Sequence, residues 1–190
     1  MNQKIYNEIL NYVPFDEREA EDKKTTLDFI KNNQDVLTRD NKIAHFTTSA
    51  WIINKERTKV LMIYHNIYKS WAWVGGHADG EEDLFSVINR EIEEETGLTN
   101  LKPIINGIYG INIVPVDNHI KRGKIVNSHL HVDVEYLFEA DESIPLRIKE
   151  DENSGVKWVD INKVNDYTTE ERMKPIYERL NKKLYSLNNM

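Results

Sequence analysis

The first residues of the chain include apolar side chains at helical spacing. Ile5, Ile9 and Leu10 predict a short amphipathic helix that ends before the first proline. Residues 16–37 predict a second helix, in which acidic and basic side chains four positions apart can pair. Because both segments hold too few apolar side chains for a core of their own, we expect residues 1–42 to be an extension. It would pack on the rest of the protein or on a partner subunit, and a loose tail is the alternative.

From Ala44 onward the pattern becomes that of β-strands, because β-branched and aromatic residues dominate the apolar runs. The polar run KERT between the first two runs predicts a hairpin. Gly107 and Gly110 predict bulges in the third run. The predicted strands cover residues 44–54, 59–64, 104–116, 129–140 and 155–161.

Two helices complete the predicted main domain, which covers residues 43–190. One helix occupies residues 83–98, between the second and third strands. The other closes the chain over residues 168–187, where Thr168 and Glu171 form a capping box. Strands, a helix, more strands and a last helix imply an α/β fold in which helices pack over a mixed sheet.

The helix predicted over residues 83–98 has two different faces. At 100° per residue, Glu91, Glu94 and Glu95 share one face, whereas Glu93 points away. Gly97 follows at the position of a left-handed C-cap. The apolar stripe that faces the core consists of Leu84, Phe85, Ile88 and Ile92.

Three carboxylates on one helical face repel one another. Like charges at this spacing cost about 0.2–0.5 kcal/mol per pair, and the helix dipole adds roughly 0.3–1 kcal/mol for each acid in the last turn. A hard divalent cation reverses both effects, and oxygen ligands suit Mg²⁺ or Mn²⁺. The alternative is a solvated acidic face, helped by Arg90, which can reach Glu94.

The charge distribution favours the cation. The net charge is −7 at pH 7, and residues 75–98 carry eight acids and one base, so this segment accounts for all of it. An acidic chain is a poor ligand for nucleic acid. The chain has no cysteine, which excludes disulfides and thiolate chemistry. No apolar run is long enough to cross a membrane, and the start does not have the pattern of a signal peptide, so we expect a cytoplasmic protein.

Gly75 and Gly76 lie just before the acidic segment. Two adjacent glycines allow a strand end to bend sharply and to present backbone amides to an anionic ligand such as a diphosphate. An ordinary turn between a strand and a helix is the alternative.

These residues together resemble the Nudix box. Its pattern is a glycine (Gly76), five residues, Glu82, seven residues, and then REIEEETGL over residues 90–98. The resemblance implies an α/β/α sandwich with a mixed β-sheet. It also implies hydrolysis of a nucleoside diphosphate linked to another moiety. Val74 and Gly80 depart from the usual loop pattern.

The resemblance also implies roles for individual residues. Divalent-metal ligands would be Glu91, Glu94 and Glu95, with Glu82 as a supporting acid. Arg90 would orient the glutamates, and Gly76 would bring backbone close to the phosphates. The proton acceptor would be a box glutamate, Glu91 or Glu94, or an acid of the run EDENSG, where Glu152 is favoured over Glu150.

Further residues are candidates for the substrate pocket. His129, His131 and Asp133 alternate and share one strand face, where the histidines could contact substrate or a metal ion. A polar sheet face is the favoured alternative. Trp71 resembles an aromatic residue of the family, with packing favoured over base stacking.

The sequence therefore predicts a metal-dependent Nudix pyrophosphohydrolase that acts on a nucleotide-type small molecule. Pro115 is a weak indication of an ADP-ribose type of substrate. A nucleotide-sensing module without catalysis is the alternative, and a diphosphate isomerase is disfavoured because the chain has no cysteine. A homodimer is possible.

Overall fold

The computed structural model describes residues 2–121 and 123–188 and has a mixed α/β fold, as predicted. Among these residues, no helix has both the length and the apolar character that a membrane crossing requires. The helices are α1 (Gln3–Asn11), α2 (Glu17–Asn32), α3 (Leu84–Thr96), α4 (Val164–Tyr167) and α5 (Lys174–Asn188). The strands are β1 (Ala44–Asn54), β2 (Lys59–His65), β3 (Ser70–Ala72), β4 (Val74–His77), β5 (Lys102–Pro103), β6 (Gly110–Val116), β7 (His119–Lys121), β8 (Lys124–Val126), β9 (His129–Ala140) and β10 (Asn153–Asp160).

The chain forms two compact units, and β1, β4, α3 and β9 contribute residues to both. Unit 1 comprises Met1–Ser49, Gly75–Ile88 and Ile105–Tyr136. Unit 2 comprises Ala50–Val74, Asn89–Ile104 and Leu137–Met190.

In unit 1, helix α2 packs on β6 and helix α1 packs on α2, so the two helices do not form a loose tail. Ile5, Ile9 and Ile30 are buried. The side chain of Glu19 is fully buried and accepts hydrogen bonds from the backbone amides of Phe15, at 2.6 Å, and of Ile111 in β6, at 3.3 Å. One carboxylate thus joins the start of α2 to an antiparallel strand pair, β6 and β9.

Unit 2 is built around the predicted hairpin. The end of β1 pairs antiparallel with β2 in the register Ile53↔Val60, and β2 also pairs with β10 and β3. Helix α5 packs on this sheet through Tyr177, whose ring stacks on Trp51 at 5.2 Å between centroids. The hairpin prediction is confirmed.

The predicted capping box of the last helix is wrong. Helix α5 begins at Lys174, and residues 168–173 lie outside it. The Thr168 hydroxyl is buried, lies 3.1 Å from the Ser70 hydroxyl and accepts a hydrogen bond from the amide of Glu170 at 3.4 Å, so it belongs to the segment before the helix. Pro175 is then the second residue of α5, where its missing amide hydrogen costs nothing because first-turn amides have no partner within the helix.

Two further predictions need correction. Strand β6 begins only at Gly110, and Gly107 adopts φ +100° outside any strand, so neither glycine forms a predicted bulge. In the apolar stripe of α3, Phe85 is 37% exposed, whereas the unpredicted Val87 is fully buried. Phe85 lies at one end of the apolar arc, which explains its exposure.

Candidate active site

The three glutamates of the predicted metal-binding face lie in unit 2 but differ in burial. Glu91 is half-buried, Glu94 is exposed, and Glu95 is only 1% exposed. On a helical wheel Glu95 falls between Leu84 and Ile88, within the apolar stripe. The carboxylates that are open to solvent on this face are therefore Glu91 and Glu94. Glu93 is exposed, as predicted, and Gly97 has the expected positive φ of +78°.

A turn just before β10 contacts the C-terminal end of α3. The amide of Glu152 donates to the carbonyl of Lys149 at 2.8 Å, which closes the turn. The side chain of Asn153 is buried and donates to the backbone carbonyl of Glu95 at 3.1 Å. The turn is held against the helix end, where carbonyls have no partner within the helix.

Lys149 joins the two acidic segments. Its Nζ lies 2.6 Å from Oε2 of Glu94 and 3.0 Å from Oε2 of Glu152. The family resemblance implied a role for both Glu94 and Glu152 in one site, and in the structure this lysine links them. Lys149 itself was missed. It is the single base next to the acidic run EDENSG, and that was the available signal.

The charges of this cluster shift its protonation equilibria. Burial raises the pKa of Glu91, Lys149 opposes the rise, and Glu152 and Glu94 add to it. Burial acts to lower the pKa of Lys149, but its hydrogen bonds to Glu94 and Glu152 outweigh this and raise it. Glu94 and Glu152 thus contact the ammonium group of Lys149, Glu91 interacts with it electrostatically, and acids outnumber the base in this cluster.

This donor set fits a hard divalent cation. Carboxylate oxygens are the ligands that Mg²⁺ and Mn²⁺ prefer, and an excess of negative charge favours a second cation. Glu91, Glu94 and Glu152 are the residues that could hold it in unit 2. Arg90 is exposed, and its predicted orienting role stays a prediction.

The glycine pair does not bend the end of the strand as predicted, and its role toward phosphates stays a prediction. Gly75 and Gly76 lie within strand β4, and Gly75 has no positive φ, so the pair does not form a sharp bend. A Cβ at Gly75 would lie 2.6 Å from the backbone oxygen of Thr48, so close strand packing requires this glycine. The chain turns later, at Asp79 (φ +48°) and Gly80 (φ +92°).

The loop after β4 is fixed within unit 1. Arg39 makes a bidentate ion pair with Asp79, with Nε 2.7 Å from Oδ1. Lys4 lies 3.3 Å from Asp83. Glu82 is exposed on this loop, and its role as a supporting metal ligand stays a prediction.

Trp71 packs in unit 2, in agreement with the favoured interpretation. Its ring meets Tyr64 edge-on at 5.6 Å, and the ammonium of Lys157 lies 4.1 Å above it. Such a cation–π contact fixes the indole and leaves it half-buried.

His129 and His131 lie side by side in unit 1, with their Nε2 atoms 3.1 Å apart. Asp133, next on this face, is buried and accepts hydrogen bonds from the hydroxyls of Thr47 at 2.8 Å and Ser49 at 2.6 Å. Burial raises the pKa of Asp133 to about 6, although both hydroxyls oppose the rise. Polar side chains thus line this face of the strand, and their role toward substrate stays a prediction.

We expect Asp133 to make the protein less stable as the pH rises from about 4 to about 6. The folded state holds this proton at pH values where the unfolded aspartate has lost it, so each pKa unit of difference costs about 1.36 kcal/mol. The whole effect is at most about 3 kcal/mol. Asp133→Asn should remove this part of the slope in urea unfolding of chelator-treated protein. Asp117→Asn, an exposed aspartate of the same unit, controls for loss of a carboxyl. An unchanged slope in Asp133→Asn would contradict the expectation.

The family model described as NUDIX domain matches residues 44–180. No curated protein matches the sequence.

Several solved structures have a similar fold at low sequence identity. The MutT protein of Methanosarcina mazei Go1 has a TM-score of 0.54 and 18% identity, over 75% of this chain and 96% of that one. The NUDIX domain of Shewanella oneidensis NrtR, complexed with ADP-ribose, has a TM-score of 0.53 and 17% identity, over 83% of this chain and 97% of that one. The C. elegans Ap4A hydrolase has a TM-score of 0.51 and 18% identity, over 76% of this chain and 97% of that one. These similarities confirm the fold class.

Proposed function

The chain belongs to the Nudix family, and on that premise we propose that it is a Mg²⁺- or Mn²⁺-dependent hydrolase. It would cleave the pyrophosphate bond of a nucleoside diphosphate linked to another moiety. The observation that carries the proposal is the cluster of Glu91, Glu94 and Glu152 around Lys149 at the end of α3. Its members come from the box helix and from the acidic turn.

In the proposed mechanism the carboxylates of Glu91 and Glu94 would hold the cation, and Glu82 and Glu95 stay predicted ligands. When bound, a divalent cation neutralises charge on a diphosphate and lowers the pKa of bound water. Glu152 is the proposed acceptor of the proton from the attacking water. Glu91 is the second candidate, since its raised pKa brings it closer to neutral pH, where a general base is most effective.

The substrate class is proposed from the family and from its structural relatives. The NrtR domain binds ADP-ribose, and the C. elegans enzyme is an Ap4A hydrolase. Ap4A contains phosphoanhydrides between two nucleosides, and ADP-ribose contains one between a nucleoside and a sugar. ADP-ribose-like molecules and nucleotides are therefore the first substrates to test. The predicted domain boundary at residue 43, the homodimer and the cytoplasmic location stay predictions.

A substrate panel tests the proposal. The full chain is incubated with ADP-ribose, Ap4A, nucleoside triphosphates and other nucleoside diphosphate derivatives, with Mg²⁺ or with Mn²⁺. Products are separated by ion-exchange chromatography. We expect release of a nucleoside monophosphate or pyrophosphate, and no release with excess chelator. Tight binding of a nucleotide without turnover would contradict hydrolysis and select the sensing module.

A further inference from the structure

Five of the six histidines of the chain lie near one another in unit 1, and the sequence singled out only His129 and His131 among them. The rings of His45, His77 and His131 form a nearly equilateral triangle, with centroid distances of 5.2, 5.2 and 4.9 Å. One ring nitrogen of each lies within 4.8 Å of the other two. His129 stacks on His45 at 4.9 Å, and His119 lies beyond it at 6.3 Å from His129.

The ring of His45 is oriented as a metal ligand would be. Its Nδ1 lies 3.2 Å from the carbonyl oxygen of Asn41, which can only accept, so Nδ1 carries the hydrogen. In the neutral ring the lone pair is then on Nε2. That atom is buried and has no hydrogen-bond partner among the described residues, and the side chain is 4% exposed. A backbone carbonyl that holds the far nitrogen is the usual outer support of a metal-bound histidine.

A second ring shows the same arrangement. Nδ1 of His129 lies 2.8 Å from the carbonyl oxygen of Asn127, so its Nε2 lone pair faces His131 at 3.1 Å. Imidazole nitrogens this close together can be bridged by a metal cation in place of a hydrogen.

We propose that His45, His77 and His131 form a binding site for a transition-metal ion of the Zn²⁺ class, separate from the glutamate site. Imidazole ligands suit Zn²⁺, Ni²⁺ and Cu²⁺, whereas Mg²⁺ avoids them. In a tetrahedral zinc site with Zn–N distances of about 2.0–2.1 Å, ligand nitrogens lie about 3.3 Å apart. Side-chain rotations bring the three nitrogens to that separation.

The site would join three strands of unit 1. His45 lies at the start of β1, His77 at the end of β4, and His131 near the start of β9. Three protein nitrogens leave a fourth position for water or for a further ligand. Because metal binding requires the folded arrangement, Zn²⁺ should stabilise this unit.

Zinc titration of the full chain tests the site. The protein is prepared without a polyhistidine tag, stripped with chelator and titrated calorimetrically with ZnCl₂ in millimolar Mg²⁺, which occupies hard oxygen sites. We expect one Zn²⁺ per chain, and His131→Gln should weaken binding by more than about 100-fold, since even an outer-shell change costs 10–100-fold. Co²⁺ in place of Zn²⁺ should give the intense visible bands of tetrahedral nitrogen ligation.

His65→Gln is the matched control, because it removes the one histidine outside the cluster and should leave zinc binding unchanged. If His131→Gln does not fold, as judged by circular dichroism, His77→Gln takes its place. Equal zinc affinity in the wild type and the cluster variant overturns the proposal. Displacement of Zn²⁺ by Mg²⁺ also overturns it, because the ion would then be at carboxylates. These outcomes do not depend on hydrolysis of any nucleotide.

Discussion

Glu94→Gln should lower kcat/KM for the best nucleotide substrate by about 10²–10⁴-fold, the range typical of a group that acts in the transition state. The substitution keeps the size of the side chain but removes its negative charge. It also leaves Lys149 with one carboxylate partner, Glu152. Because the Glu94 side chain is 42% exposed, the free energy of unfolding should change by less than about 1 kcal/mol.

Glu93→Gln is the matched control for this prediction. It makes the same change of charge one residue earlier on α3, on an exposed side chain that points away from the cluster. Both variants are assayed over a range of Mg²⁺ and Mn²⁺ concentrations. If the two variants have the same kcat/KM, then Glu94 has no part in hydrolysis.

The metal dependence of the rate separates a ligand from a base. If Glu94 holds the cation, its loss should raise the metal concentration that gives half-maximal rate. Glu152→Gln should instead lower kcat at saturating metal, because the proposed proton acceptor is missing. Glu91→Gln gives the comparison, since Glu91 is the second candidate for that acceptor.

The local part of the site could be predicted from the sequence, because helical spacing fixes which side chains share a face. That spacing placed Glu91 and Glu94 together and Gly97 at the C-cap. The same spacing places Glu95 within the apolar arc, between Leu84 and Ile88, but Glu95 was assigned to the carboxylate face that it shares with Glu91 and Glu94.

The contacts between residues that lie far apart in the sequence could not be predicted. Lys149 meets Glu94 across 55 positions of the sequence, and no periodicity encodes that contact. The histidine triangle draws one residue from each of three strands, so the pattern of any one strand shows at most the pair His129 and His131. The Thr168 hydroxyl was misassigned for the same reason, since its partner Ser70 is distant in sequence.

The largest effect on stability should come from Glu19→Ala, with a loss of about 3–5 kcal/mol. Both oxygens of this buried carboxylate accept backbone hydrogen bonds, one from Phe15 and one from Ile111. The alanine would leave both amides without these acceptors, and each unsatisfied buried donor costs about 1–3 kcal/mol. Removal of a buried charged group also leaves a cavity.

Glu19→Gln should lose less, because its amide oxygen still accepts one of the two hydrogen bonds while its NH₂ group faces the other donor. Glu17→Ala, on an exposed residue of the first turn of α2, is the control and should cost no more than about 1 kcal/mol, the loss of a favourable helix-dipole interaction. Urea unfolding gives the three values, and for a chain of this length Glu19→Ala should lower Tm by about 10 °C. If Glu19→Ala is no less stable than Glu17→Ala, the hydrogen bonds of the buried carboxylate do not stabilise the packing of α2 on β6. The N-terminal helices would then be held by their apolar side chains alone.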